Sequence, residues 1–258
     1  VQDEAAGLVV AMLDPQPGET VLDACAAPGG KALLAAARMR GRGLLLALDA
    51  SRRRLASLRR AAEGREHGGV LRTRAADLRD FATQRFVPHA APSEEERAAM
   101  ERGGGGGGSD PERRHPWQYD RVLLDAPCSG TGVLSKRADL RWRRTPADVR
   151  QLAGLQGELL DAAAALVAPG GLLVYATCSL EHQENQAQVA AFLQRHPGFQ
   201  LEAPPPSAGV PTQCLDARGC LAMLPHVHGT DGAFAARLRR RNSGGGEDKG
   251  GGGTETAA

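Results

Sequence analysis

The sequence predicts an α/β protein built on a doubly wound, mostly parallel sheet. Short apolar runs alternate with amphipathic helical stretches along most of the chain, the pattern of β-strands joined by helical crossovers. One such run, "GLLLALDAS" (Gly43 to Ser51), is continuously apolar, which marks a strand buried on both faces. The strand ends carry a third signal. Asp23, Asp49, Asp77, Asp125 and Cys178 each close an apolar run, which puts four carboxylates and a thiol on the rim where such sheets collect ligands.

Taken in order, "ETVLDACAAPGGK" reads as a strand (Thr20 to Asp23), a glycine-containing turn, and a helix from about Lys31 to Arg40. The run ending in Asp49 follows. Ser51 is placed to cap the next helix, whose Leu55, Leu58 and Ala62 share one side. "GVLRTRAAD" gives a third strand ending near Asp77, and "YDRVLLDAPCSGTG" a fourth ending at Asp125, Pro127 and Cys128. Thr145, Pro146 and Asp148 then open a helix with an acidic capping box, and Pro169-Gly170-Gly171 stops it. "LLVYATCS" is a strand, Gln183 to Arg195 a helix, and "DGAFAARLRR" a last strand, antiparallel and at or near an edge.

Composition narrows the function classes. The 258 residues carry a net charge of only +2, so the chain is no polycation. Its arginines nevertheless cluster at Arg52 to Arg54, at Arg137, Arg141, Arg143 and Arg144, and at Arg237 with Arg239 to Arg241, allowing local phosphate contacts. Five scattered cysteines argue against a secreted disulfide framework, and their spacing suggests no metal site. No apolar run has the roughly 20 residues of a membrane span. One domain is expected over residues 1–241, with a disordered glycine-rich insertion near 92–116 and a flexible tail over 242–258.

"AAPGGK" lacks the spacing of the phosphate-binding glycine loops. Asp49, nineteen residues after Gly30, makes the turn a ligand site, because a carboxylate at the second strand end accepts two hydrogen bonds from a ribose diol. A ligand with a ribose but no pyrophosphate points to S-adenosylmethionine. Asp77, one strand further along, is placed near the adenine or else caps a helix. Cys128, by its position alone, is a nucleophile, a metal ligand or a small buried residue. Lys31 is one of three lysines among 32 basic residues, and a compact ammonium is the functional reading of so rare a choice.

"LDACAAPGGK", the stretch from "DAPCSGTGVLSKRADLRWRRTPADV" through "YATCSLEHQEN", and "HGTDGAFAARL" resemble the successive motifs of the Sun/RsmB family of RNA (cytosine-5) methyltransferases. The likeness runs in order from about Val1 to Arg240, except through the insertion. The Pro-Cys and Thr-Cys motifs on two strand ends are its specific part.

That resemblance implies a class I methyltransferase, Rossmann-like sheet and a defined set of roles. Carbon 5 of cytosine becomes nucleophilic once a thiolate adds at carbon 6. The Thr-Cys thiol, Cys178, makes that attack, and the Pro-Cys thiol, Cys128, assists release. Asp125 contacts N3 of the base, and Lys31 orders that carboxylate. The turn Cys25, Ala26, Ala27, Pro28, Gly29, Gly30 and Lys31, with Asp49, Asp77 and Asp125, holds S-adenosyl-L-methionine. Cys25 contributes backbone and packing rather than thiol chemistry. The substrate expected is RNA, ribosomal first and transfer RNA second, met by a monomer in the cytoplasm or an organelle (plastid or mitochondrion) and not in a secretory compartment. Two departures stand out: Ala32 replaces a common threonine, and Ala233 replaces the first aromatic of the usual D-G-F-F. RNA-binding modules found upstream in the family have no counterpart here. The rival expectation is a non-catalytic RNA-binding assembly factor that keeps the fold; the two intact cysteines speak against it.

Overall fold

A computed structural model describes residues 3–63, 69–83 and 118–242. The glycine-rich insertion and nearly all of the expected tail lie outside these residues. The chain runs α1 (Glu4–Leu13), β1 (Thr20–Asp23), α2 (Gly30–Arg38), β2 (Leu44–Asp49), α3 (Arg52–Ala62), β3 (Leu71–Ala75), α4 (Leu78–Thr83) and β4 (Tyr119–Asp125). It continues through α5 (Leu140–Arg143), α6 (Pro146–Ala165), β5 (Val167–Thr177), α7 (Gln186–Arg195), β6 (Phe199–Glu202), β7 (Leu221–Met223), α8 (Pro225–His228) and β8 (Ala233–Arg240).

The strand order is β3-β2-β1-β4-β5-β8-β6, with β7 paired to β8. The first five strands are mutually parallel, and β8 runs antiparallel to β5, β6 and β7. This is the Rossmann-like sheet of class I methyltransferases. Successive residues of β2 feed opposite faces: Leu45 and Ala47 join a core with Leu8 of α1, Ala32 of α2 and Leu55 of α3. Leu46 and Leu48 join a second core with Phe81 of α4, Leu160 of α6 and Phe192 of α7. All six residues of β2 are buried, as its unbroken apolar run requires. Burying each leucine is worth roughly 1.5–3 kcal/mol.

Several local expectations hold in atomic detail. Ser51 Oγ accepts from Arg54 N at 3.3 Å and caps α3. Thr145 and Asp148 form the reciprocal capping box of α6, with Pro146 in the first turn. Others shift. α6 ends at Ala165, and Pro169-Gly170-Gly171 lies inside β5, where Gly170 takes a positive φ of 73°. The helix expected from Gln183 is a 3₁₀ turn, His182–Glu184, that breaks at Asn185 before α7 begins.

The last strand is antiparallel and near an edge, as expected. β8 lies between β5 and β6, and its residues Ala233 to Leu238 are all buried. The edge belongs to β6, a short strand whose "FQLE" carries little pattern. The same placement corrects the reading of the third arginine cluster. Arg237 is 2 % exposed, and its guanidinium donates to Met12 O and, at 2.7 Å, to Glu202 Oε1. Arg239 donates to both oxygens of Glu202, and Arg240 donates to Val167 O. These cations tie β8 to its neighbours rather than facing a phosphate.

Candidate functional site

Parallel pairing places β1, β2, β4 and β5 so that their carboxyl ends share one rim. Asp125 ends β4 in register with Ala176 of β5, so Cys128 and Cys178, just beyond the two strand ends, emerge side by side. Their sulfurs are 3.4 Å apart. Lys31, on the first turn of α2, reaches across from β1's side and places Nζ 2.7 Å from Asp125 Oδ2.

The charges around the thiols are asymmetric. A hydrogen bond from the Cys128 thiol, and next to it the Lys31 ammonium, hold Cys178 below the ordinary thiol range despite burial and the nearby Asp125 carboxylate. The same hydrogen bond, followed by burial, pushes Cys128 up. Lys31 faces Cys178 among its charged neighbours, which favours Cys178 as the thiolate of the pair. Burial alone would pull the Lys31 ammonium down, but Asp125, then Asp23 and Cys178, outweigh it and hold it up. Burial, followed by the charges of Asp23, Asp125 and Asp49, pushes Cys25 up to about 12, leaving it an inert thiol in the turn.

The turn itself is built around a close approach. Gly29 has φ 113°, and a Cβ there would lie 2.4 Å from Leu58 Cδ1 of α3, so the chain can pass only as glycine. Asp49, 3 % exposed at the end of β2, aims its carboxylate at this turn. Its Oδ2 accepts from Ala27 N at 3.1 Å, and its Oδ1 accepts from Ser51 N at 2.8 Å and Arg54 Nη2 at 3.0 Å. Asp77, also expected at the cofactor, has its carboxylate engaged by Arg79. It accepts from the Arg79 backbone N–H at the start of α4 and forms a two-pronged ion pair with the Arg79 guanidinium.

Asp23, at the end of β1, was visible in the sequence only as a strand-end acid. It is 2 % exposed, and its carboxylate has no side-chain partner; the Cys25 backbone N–H lies near enough to oppose, weakly, the rise in its pKa. Burial, then the neighbouring Asp125 charge, pushes its carboxyl up to about 7. Behind the cysteines lies a second group that the sequence did not single out. Glu184 is fully buried and hydrogen-bonded to both Ser129 and Ser179.

The backbone between the two cysteine loops is equally close. Gly132 N donates to Cys178 O at 2.9 Å, and Gly232 N donates to Gly132 O at 2.8 Å. The loop after Cys128 leads to α5, where Leu140 is buried but Trp142, between Arg141 and Arg143, is 86 % exposed. Arg144 Nε donates to Ser129 O at 3.0 Å and anchors this helix to the cysteine loop. Among the described residues no cluster of His, Cys, Asp and Glu is arranged to hold a metal ion, and no helix is long and apolar enough to cross a membrane.

Residues 10–86 and 106–239 match the family described as 16S rRNA methyltransferase RsmB/F. A relative named probable ribosomal RNA small subunit methyltransferase B, from Bacillus subtilis (strain 168), is 36% identical over 244 residues, covering 93% of this chain and 47% of its own. Ribosomal RNA small subunit methyltransferase B of Yersinia pseudotuberculosis is also 36% identical over 244 residues, covering 92% of this chain and 46% of its own. The chain thus spans a little under half the length of these relatives. Among solved structures, NSun6 from Pyrococcus horikoshii, determined with SFG, aligns with a TM-score of 0.68 at 26% identity over 93% of this chain and 52% of that one. A methyltransferase homolog protein from the same organism aligns with a TM-score of 0.65 at 28% identity, over 93% of this chain and 67% of that one. A match that runs through both cysteine motifs, the glycine turn and the last strand makes this chain a member of the 16S rRNA methyltransferase RsmB/F family.

Proposed function

We propose that the chain methylates carbon 5 of cytosine in RNA, most naturally ribosomal RNA, through a covalent adduct with Cys178. The observation that carries this reading is the pair of thiols 3.4 Å apart beside the Lys31–Asp125 ion pair, at the carboxyl ends of adjacent strands. Relatives named as ribosomal RNA methyltransferases support the substrate class.

The residues present fit S-adenosylmethionine, and a relative determined with SFG, an analogue of it, points the same way. Asp49 is set to accept the ribose diol. Oδ2 has a lone pair to spare, and Oδ1 gains one when the exposed Arg54 side chain swings away. Asp23, buried and without a side-chain partner, suits the cationic amine of the methionine portion. When bound, the cofactor supplies the electrophilic methyl that carbon 5 takes.

The chain's own groups do the rest. The Cys178 thiolate adds to carbon 6 of the cytosine, breaking the 5,6 double bond and pushing electron density to carbon 5. Asp125, ordered by Lys31, holds the N3 edge. After methylation solvent water takes the proton from carbon 5, the C–H electron pair restores the 5,6 double bond, and the carbon–sulfur bond breaks with its own pair returning to Cys178. Cys128, whose sulfur lies 3.4 Å from that of Cys178, assists that departure. A stacked base hides carbons 5 and 6, so the target cytosine is unpaired or flipped out. Trp142 and the arginines beside it offer a stacking and phosphate surface next to the site.

The two cysteines are expected to fail differently. Cys178→Ala loses adduct and turnover together, whereas Cys128→Ala still attacks and methylates but stalls, accumulating a protein–RNA adduct that survives denaturing electrophoresis. An adduct trapped by Cys178→Ala and absent from Cys128→Ala would reverse the assignment. RNA binding with neither adduct nor methylation would favour the assembly-factor reading.

A further inference from the structure

We infer that Glu184 is the positioning residue that sets the two thiols against each other, by fastening the loop after β4 and the loop after β5 to one carboxylate. The inference rests on the reading of Cys178 and Cys128 as the reacting pair. Glu184 Oε1 accepts from Ser129 N at 2.9 Å and from Gln156 Nε2 at 3.0 Å. Glu184 Oε2 accepts from Ser129 Oγ and from Ser179 Oγ, each at 2.5 Å. Ser129 directly follows Cys128, and Ser179 directly follows Cys178.

The residues before the cysteines are held by the same group. Gln156 Nε2 also donates to Pro127 O at 2.9 Å. Thr177 Oγ1 donates to Asn185 Oδ1 at 2.6 Å, and Asn185 Nδ2 donates to Ser179 O at 2.8 Å. Each cysteine is therefore pinned on both sides while its thiol remains free to react. The break between the 3₁₀ turn and α7, with Asn185 at φ −118° and ψ −99°, is what turns Glu184 and Asn185 inward together.

Such an arrangement is a costly way to join two loops if joining were the only requirement. A buried carboxylate gives up its hydration and must be repaid by every donor around it. What it adds is direction, and the thiols need direction. An S–H group is a weak donor, so the 3.4 Å sulfur contact persists only where the backbone on both sides is fixed. The groups that face Cys178 are Cys128 from its loop, Asp125 at the end of β4 and Lys31 from α2; Glu184 acts on it through Cys128's placement.

The test follows the thiol rather than RNA. Alkylation of Cys178 by iodoacetamide is measured against pH in the purified chain, with the modified peptide resolved by mass spectrometry. Melting temperature and S-adenosylmethionine affinity are measured alongside. Glu184→Ala is expected to raise the alkylation midpoint toward the ordinary thiol value of roughly 8.5, with cofactor affinity unchanged. Glu184→Gln is expected to restore it, because the amide oxygen keeps Ser129 N–H and Gln156 while the amide nitrogen donates to the two serine hydroxyls. Should Glu184→Ala not fold, the double variant Ser129→Ala/Ser179→Ala cuts the same clasp from the other side and should give the same rise. A folded variant of either kind with an unmoved midpoint overturns the inference. If the midpoint moves but the RNA adduct maps to Cys128, the clasp stands and the assignment of the attacking thiol falls.

Discussion

Asp23→Asn removes a charge and keeps the shape of the side chain, and its effect can be worked out in sign and size. The carboxyl is pushed from 3.8 up to about 7 by burial and by the neighbouring Asp125 charge. Between those two values the folded chain keeps a proton that the unfolded chain has released, so stability falls as pH rises through this window and levels off above it. About three pH units at about 1.4 kcal/mol each give a loss on the order of 4 kcal/mol by pH 8. Asparagine does not carry this loss. At roughly 2–4 °C per kcal/mol for a domain of this size, the variant should melt about 10 °C above the parent at pH 8. The gap should close as pH falls toward 4. Differential scanning calorimetry from pH 4 to 9 reads both curves. A gap that stays constant across this range would refute the reasoning, since it would mean that Asp23 carries no differential charge. The same variant should bind S-adenosylmethionine more weakly, so stability and ligand affinity move in opposite directions.

Asp49→Ala should weaken S-adenosylmethionine binding by at least about tenfold, because hydrogen bonds to a charged acceptor are worth roughly 1.5–3 kcal/mol; calorimetric titration measures it. Gly132→Ala should disrupt the site, since the new Cβ would meet Cys178 O at 2.7 Å and Gly232 Cα at 2.9 Å. It should lower the melting temperature and reduce adduct formation, both measurable on one preparation. Trp142→Ala should cost single-stranded RNA about tenfold in affinity, in line with roughly 1–3 kcal/mol per stacked base, and fluorescence anisotropy with a labelled oligonucleotide checks it.

β1, β2 and β4 were legible because each is a dense apolar run ending in an acid, a pattern that needs no partner to be recognised. Asp49 was legible for the same reason, and its aim at the turn matches the expectation. The Lys31–Asp125 contact, between residues 94 apart, was anticipated from the family resemblance rather than from any local pattern. α1 went unread: seven of its ten residues are buried, so it shows little amphipathic stripe. β6 and β7 are four and three residues long, too short for a period to emerge. Arg237 looked like surface because nothing local reveals that Glu202 awaits it across the sheet. Glu184 was hidden inside a stretch that reads as helix; its role depends on three segments meeting in space.

The position of β8 has a consequence for how the protein is made. The strand that leads into Cys178 gains its second neighbour only when residues 233–240 arrive, whereas β1, which leads into the glycine turn, has both of its neighbours once β4 is made. Since synthesis proceeds from the N-terminus, the half built from β1 to β4 can settle first, while β5 waits with an open flank. The geometry at Cys178 thus waits on a strand that follows it in the chain, and a chain interrupted before Ala233 would hold the glycine turn and Asp49 with β5 still unflanked.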